Sequence, residues 1–278
     1  MSAVSFKETV RLFKDRGIPN PRYDATVLFE ALAGIPSYKL IAQDVISESE
    51  ALTLAIERRL RREPLQYILG EVEFFSETYT VTPDCLIPRQ DTEVLVEYAV
   101  ANIPTGEYFV DLCTGSGAVA ISTLANTVNT KALATDISLG ALNVAKINAD
   151  CNNIGGRVTF LQHDVLSDPP PDALMKDPPY AILSNPPYVT NDAYKLLEKE
   201  IFFEPRSAFV AEEGGMEFYR RITEIYSPLI KPTGFIAYEI GYDQADAITE
   251  ISNRFSMNAT IIRDLSGNPR VAVLRHKG

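Results

Sequence analysis

The chain has 278 residues, 46% hydrophobic and 23% charged, enough for one large core or one core with a small satellite, and for two domains at most. A formal net charge of -11 disfavours a broad electrostatic grip on a phosphate backbone, so no direct nucleic-acid substrate is expected, although a local basic patch is compatible with it. Two histidines, His163 and His276, and three scattered cysteines, Cys85, Cys113 and Cys151, leave little material for a histidine triad, a metal site or a disulfide frame. The expectation is a protein of the reduced cytoplasm, without a metal, whose chemistry needs no strong general base.

The amino end, "MSAVSFKETVRLFKDRG", mixes charges at helical spacing and has no apolar signal core. No run in the chain approaches the roughly 18 apolar residues of a membrane span, so no membrane partner is expected. From Ser5 to about Arg62 apolar residues recur at helical spacing, with Gly17 and Gly34 where helices should stop and Ser47 followed by Glu50 as a capping box. These segments predict a small helical bundle, with "ERRLRR" as a solvated helix face. "VEFFSETYTVTP" reads as a hairpin broken at Ser76-Glu77, and a helix opens near Asp91.

Beyond it, strand-like and helix-like segments alternate: "EYFVDLC", "GAVAISTLANT", "KALATD", "SLGALNVAKINAD", "RVTFLQ", "YAILSN", "GFIAYEIG" and "DQADAITEISNRF". Such alternation predicts an α/β fold, a doubly wound parallel sheet with crossover helices. "NATIIRDL" and "RVAVLRH", separated by "SGNP", predict a closing hairpin at the sheet edge.

Ligands of such sheets settle outside the carboxyl ends of the strands. The first strand runs into "DLCTGSGAVA", where Gly115 and Gly117 let backbone amides approach a ligand at a helix start. The second ends at Asp136, nineteen positions after Gly117, suited to accept from two ribose hydroxyls, and the third ends at "HD", which puts Asp164 near a purine amino group. Together they predict a pocket for an adenosine-containing cofactor.

The pattern acidic-or-amide, Pro, Pro, Tyr occurs twice, at Asp177–Tyr180 and at Asn185–Tyr188. Only the second follows a strand, "YAILS"; the first precedes it and belongs to the opposite edge, a loop decoy. Consecutive prolines fix a rigid extended bend, so the Asn185 side-chain oxygen and the Pro186 carbonyl can accept both hydrogens of one planar NH2 group, with Pro187 stiffening the bend and Tyr188 walling the substrate. Such a clamp orients a poor nucleophile toward an electrophile, and the sulfonium methyl of S-adenosylmethionine suits it because no histidine base is required. A nicotinamide dehydrogenase or a silent nucleotide-binding module explains the glycine turn but leaves "NPPY" without a task.

At these residues the sequence resembles the HemK-type protein-(glutamine N5) methyltransferases over nearly its full length, through "REPLQYILGEVEFF", "VTPDCLIPRQDTEVLVE", "DLCTGSGAVAIS", "LSNPPY", "EPRSAF", "EGGMEFYRRI", "YEIGYDQ" and "RDLSGNPRVAVL". "NPPY" is shared by many amino methyltransferases; "PLQYILG" and "LIPRQDTE" are far more specific. The resemblance implies a helical domain over 1–71 that helps hold a peptide chain release factor, a hairpin linker over 72–88, and a Rossmann-like class I methyltransferase domain over 89–278 with strand order 3-2-1-4-5-7-6. It implies methyl transfer from S-adenosylmethionine to the glutamine of the release factor's Gly-Gly-Gln loop, with S-adenosylhomocysteine as product. Cofactor contacts then fall on Cys113, Thr114, Gly115, Ser116, Gly117, Asp136, Asp164, Val165 and Asn185, and the glutamine amide on Asn185 to Tyr188. Cys113 stands where the family often has glycine, and "SDPPPDALMKDPPY" is an unusual connection before the fourth strand. Glu239 is expected to be structural and Arg89 to anchor the linker. The rival within enzymes is an adenine N6 methyltransferase acting on DNA or RNA, for which the acidic charge and the absence of a recognition insert speak poorly.

Overall fold

In the computed structural model, which describes residues 4–42 and 44–277, the first helices start and stop at local chemical signals. Phe6–Asp15 opens under Ser5, whose hydroxyl accepts from the Glu8 amide, and Pro21–Ala33 starts on a proline and ends on Gly34 at φ +63°. Helix Glu50–Leu60 is capped by Ser49, which accepts from the Leu52 amide at 3.2 Å; the expected box at Ser47 is therefore displaced by two residues. Ser47 pairs instead with Val4 in a two-residue strand contact, and its hydroxyl accepts from the Ser49 amide.

These helices enclose Phe6, Phe13, Leu28, Phe29 and Leu52, with Phe6 and Phe29 edge to face at 5.4 Å. The chain packs as two units, and this small one, running through Glu71, also takes in Glu198–Phe203. That later segment matters to "ERRLRR", which is not simply a solvated face. Arg59, only 4% exposed, bonds Asp24 at 2.7 Å and Glu200 at 3.0 Å, while Arg62 reaches Glu200 at 2.6 Å and Arg58 pairs with Glu63 at 2.6 Å. A buried guanidinium needs such partners, since stripping one from a buried pair costs about 3–5 kcal/mol.

The hairpin strands Glu71–Phe74 and Glu77–Thr80 turn at Phe75 and Ser76, both at positive φ, one residue earlier than the sequence pattern suggests. A two-residue loop with two positive φ angles matches the twist of the flanking strands. Its Tyr79 is fully buried, sharing a hydrogen with Ser122 at 2.6 Å.

The large unit is organised by one seven-stranded sheet: β1 (Tyr108–Leu112), β2 (Lys131–Asp136), β3 (Val158–Gln162), β4 (Ala181–Ser184), β5 (Phe235–Glu239), β6 (Met257–Arg263) and β7 (Pro269–His276). Numbered within the sheet the order is 3-2-1-4-5-7-6; counting also the four short strands outside it, the same line reads 7-6-5-8-9-11-10. β1 to β5 are parallel, and β7 runs antiparallel between β5 and β6. Alternate residues feed two cores: Phe109, Ala134, Leu183 and Ala237 on one face, Val110, Leu133, Ile182 and Ile236 on the other. The register aligns Leu112 with Thr135 and Ser184, and Ser184 with Tyr238, so the carboxyl ends of four strands form one rim.

Candidate active site

Along that rim lies a cavity of about 320 Å³, within the range of small-ligand sites. Cys113, Thr114, Gly115, Ser116, Asp136, Asp164, Val165 and Asn185 line it, so most of the residues singled out in the sequence converge on one space. Gly117, Pro186 and Tyr188 do not line it.

The glycine loop follows β1. Cys113 adopts φ +62° and Gly115 φ +56°, the left-handed region in which a cysteine carries a steric cost that a glycine avoids. A Cβ on Gly115 would meet nothing within 4 Å, whereas one on Gly117 would sit 2.8 Å from Ile121 Cδ1 and 3.1 Å from Ala145 Cβ. Gly117 therefore serves the packing of two helices, and its amide donates to the Thr114 carbonyl at 2.9 Å. Burial raises the Cys113 thiol well above its ordinary value, so it stays protonated and unreactive.

Asp136, at the end of β2, accepts from the Gly115 amide and the Ser138 amide, each at 2.9 Å. Burial raises its pKa against the pull of those amides. Beneath the loop, Asp111 of β1 is 1% exposed and takes hydrogens from Thr114 Oγ1 at 2.5 Å and the Ala120 amide at 3.2 Å on one oxygen only. Its other oxygen, Oδ1, is the sole buried carboxylate oxygen without a partner among the described residues, and burial pushes the group up to about 7. In sequence Asp111 carries no site signal, because "FVDL" looks like an ordinary buried strand.

After β3, the Asp164 carboxylate already caps its own turn, accepting from the Leu166 amide at 2.9 Å and Ser167 Oγ at 2.7 Å. Despite the opposing effect of burial, these bonds lower its pKa. His163 beside it is hydrogen-bonded to the Tyr226 hydroxyl at 2.8 Å, and burial lowers its pKa, so it rests as a neutral imidazole.

Asn185 follows β4 directly. Its Nδ2 donates to Thr92 Oγ1 at 3.2 Å, and no group among the described residues donates to its Oδ1. Thr92 in turn donates to Glu239 Oε2, and the Tyr188 hydroxyl donates to Glu239 Oε1 at 3.3 Å. Tyr188, expected as a wall, instead points its hydroxyl at this carboxylate and packs its ring on the apolar core. Glu239, 2% exposed at the end of β5, is the hub expected to be structural, and burial raises it to about 7. Arg89 pairs with Glu204, which also accepts from the Ile87 amide at 2.9 Å, so the arginine ties down the segment carrying Asp84 to Pro88 along the cavity. The first "DPPY" lies at the other end of the sheet, where the Tyr180 amide bonds the Tyr108 carbonyl at the start of β1 and Asp177 is exposed.

No cluster of three potential metal ligands occurs among the described residues, and none of their helices is long and apolar enough to cross a membrane. Residues 6–70 match the family model described as PrmC N-terminal domain, and residues 90–231 the one described as Methyltransferase small domain. A protein of Moorella thermoacetica named release factor glutamine methyltransferase is 36% identical over 271 residues, 95% of this chain and 94% of that one. One of the same name from Fusobacterium nucleatum is 32% identical over 280 residues, 97% of this chain and 77% of that one. A solved methyltransferase from Pyrococcus furiosus superposes with TM-score 0.52 at 17% identity over 72% of this chain and 88% of its own, a likeness of fold.

Proposed function

The chain belongs to the release factor glutamine methyltransferase family, and from that premise we propose that it methylates the side-chain amide nitrogen of the glutamine in the Gly-Gly-Gln loop of peptide chain release factors. The observation that carries this reading is the state of Asn185: a rigid Asn-Pro-Pro bend at the rim of the cofactor cavity, with the amide NH2 engaged by Thr92 and the carbonyl oxygen left to accept.

The residues present fit S-adenosylmethionine. Asp111 Oδ1 is a buried acceptor without a donor beside the glycine loop, suited to a cationic amine, and the open space over Gly115 admits close approach. Asp136 would hold the ribose hydroxyls, and Asp164 with the buried Val165 would flank the purine. Bound here, the cofactor would supply a methyl group on a positively charged sulfur, with S-adenosylhomocysteine as the product.

Asn185 Oδ1 and the Pro186 carbonyl accept the two amide hydrogens of the substrate glutamine, which fixes the plane of the amide and turns its nitrogen toward the cavity. Acceptors on both hydrogens also favour the build-up of positive charge on that nitrogen as it is alkylated. The alkylated nitrogen is strongly acidic, so its proton is lost without a dedicated base; His163, neutral and tied to Tyr226, is not needed.

The test is incubation with labelled methyl donor and a purified release factor, followed by mass mapping of the modified residue, with adenine-containing DNA and RNA oligomers as parallel acceptors. Label on the Gly-Gly-Gln glutamine alone is expected. Label on adenine with an unmodified release factor would transfer the clamp to the exocyclic amine of a base.

A further inference from the structure

The structure assigns Thr92 and Glu239 a part in the reaction: they lock the Asn185 side chain so that it presents its carbonyl oxygen, and not its NH2, to the substrate amide. This rests on the reading of the site given above and deepens it.

An asparagine amide is two-faced. Rotated by half a turn about its last bond, Asn185 would oppose two donors of its own to the donors of the substrate. Nothing in Asn185 chooses between these states. Its Nδ2 lies 3.2 Å from Thr92 Oγ1, but a hydroxyl donates and accepts equally well, so Thr92 alone does not choose either. The choice comes from Glu239. An ionised carboxylate offers only acceptors, and the single Thr92 hydroxyl hydrogen is committed to Glu239 Oε2. The lone pairs of Thr92 then face Asn185, its Nδ2 must donate, and Oδ1 is left for the substrate. Hydrogen-bond direction passes from a buried charge through a hydroxyl to the amide.

Burial works against that charge, and the groups around it act in both directions. On β7, Arg270 attracts it and is itself paired with Asp91 at 3.0 Å and Asp264 at 3.3 Å; Asp91, next to Thr92 in the 3-10 turn Gln90–Thr92, opposes it. Tyr188, from the bend after β4, donates to Glu239 Oε1, and Tyr219, from helix Glu217–Tyr226, donates to the Glu239 backbone carbonyl at 2.9 Å. Because burial brings Glu239 up to about 7, the direction of the relay responds to pH near neutrality: once protonated, the carboxyl donates as well as accepts and Thr92 is no longer constrained. Thr92 and Glu239 act through Asn185 and are positioning residues.

The experiment compares wild type with T92V, which keeps the shape and deletes the hydroxyl, and T92S, which restores it, in the full chain with labelled methyl donor and purified release factor. T92V is expected to lower kcat about tenfold and T92S to recover most of it, the scale of one directed hydrogen bond. KM for S-adenosylmethionine should stay unchanged, and wild-type kcat should fall as pH drops below about 7 while E239Q shows no such limb. A second measurement needs no acceptor: solvent exchange of the Asn185 side-chain NH2, followed in 15N spectra, should be slow in wild type and T92S and fast in T92V. Equal kcat in T92V and wild type, T92S as slow as T92V, or equal exchange in all three overturns the assignment. A wild type that methylates no release factor sinks the substrate reading instead, and the exchange measurement still decides on Thr92.

Discussion

On the β1–β2 side of the cavity, polar groups are held mostly by backbone amides, from 2 to 21 positions away: Asp136 by the amides of Ser138 and Gly115, Asp111 by Thr114 and the Ala120 amide. On the β4–β5 side, the bonds are made by side chains drawn from remote segments, Asn185 to Thr92 across 93 positions and Thr92 to Glu239 across 147. Backbone amides cannot turn over, so the first side is rigid by construction and its carboxylates can be left waiting for a ligand. Side-chain amides and hydroxyls can reverse, so the second side needs a buried charge to fix their direction.

Four substitutions break or sharpen this contrast. Asn185→Ala should have the largest effect, lowering methyl transfer by about two to three orders of magnitude, as for loss of a key transition-state hydrogen bond, with cofactor affinity weakened much less. A wild-type rate would remove Asn185 from the clamp. Asp136→Ala should do the opposite, weakening cofactor affinity by about 10- to 100-fold through lost bonds to a charged acceptor while saturating turnover survives; titration calorimetry reads it, and unchanged affinity would empty the proposed ribose site.

Asp111→Asn tests the waiting carboxylate through pH. Its unfolded value is near 3.8 and its folded value about 7, so the ligand-free native state keeps a proton that the unfolded chain has released. Stability should therefore fall as pH rises from about 4 to about 7. Asp111→Asn should flatten that fall, visible as a smaller loss of Tm between pH 5 and pH 8; an identical profile would mean that Asp111 is ionised throughout. Asp177→Ala, on the exposed decoy, should change stability and rate least, within about 0.5 kcal/mol, and a large loss of turnover would reverse the choice between the two Pro-Pro repeats.

The same contrast explains what could be read in advance. Alternation of strand and helix, Gly115, Asp136 and Asn185 were legible because each is a local signal at a strand end. Thr92 and Glu239 were not read as a pair because their link is tertiary; in sequence Thr92 is only a polar residue entering a helix. Gly117 has a packing reason that no local signal announces, the close approach of Ile121 and Ala145. Arg59 looked like one more surface charge in "ERRLRR", since its partners Asp24 and Glu200 lie 35 and 141 positions away.

The recruitment of Glu198–Phe203 into the small unit has a consequence for inheritance. A polypeptide ending after Glu71 would retain Arg59 and Arg62 but surrender the carboxylate of Glu200 that both of them grip. Recombination at a single junction therefore takes the acid facing Arg59 and Arg62 from the other parent, and the small unit stays neutralised only where that parent's distant stretch also supplies a carboxylate.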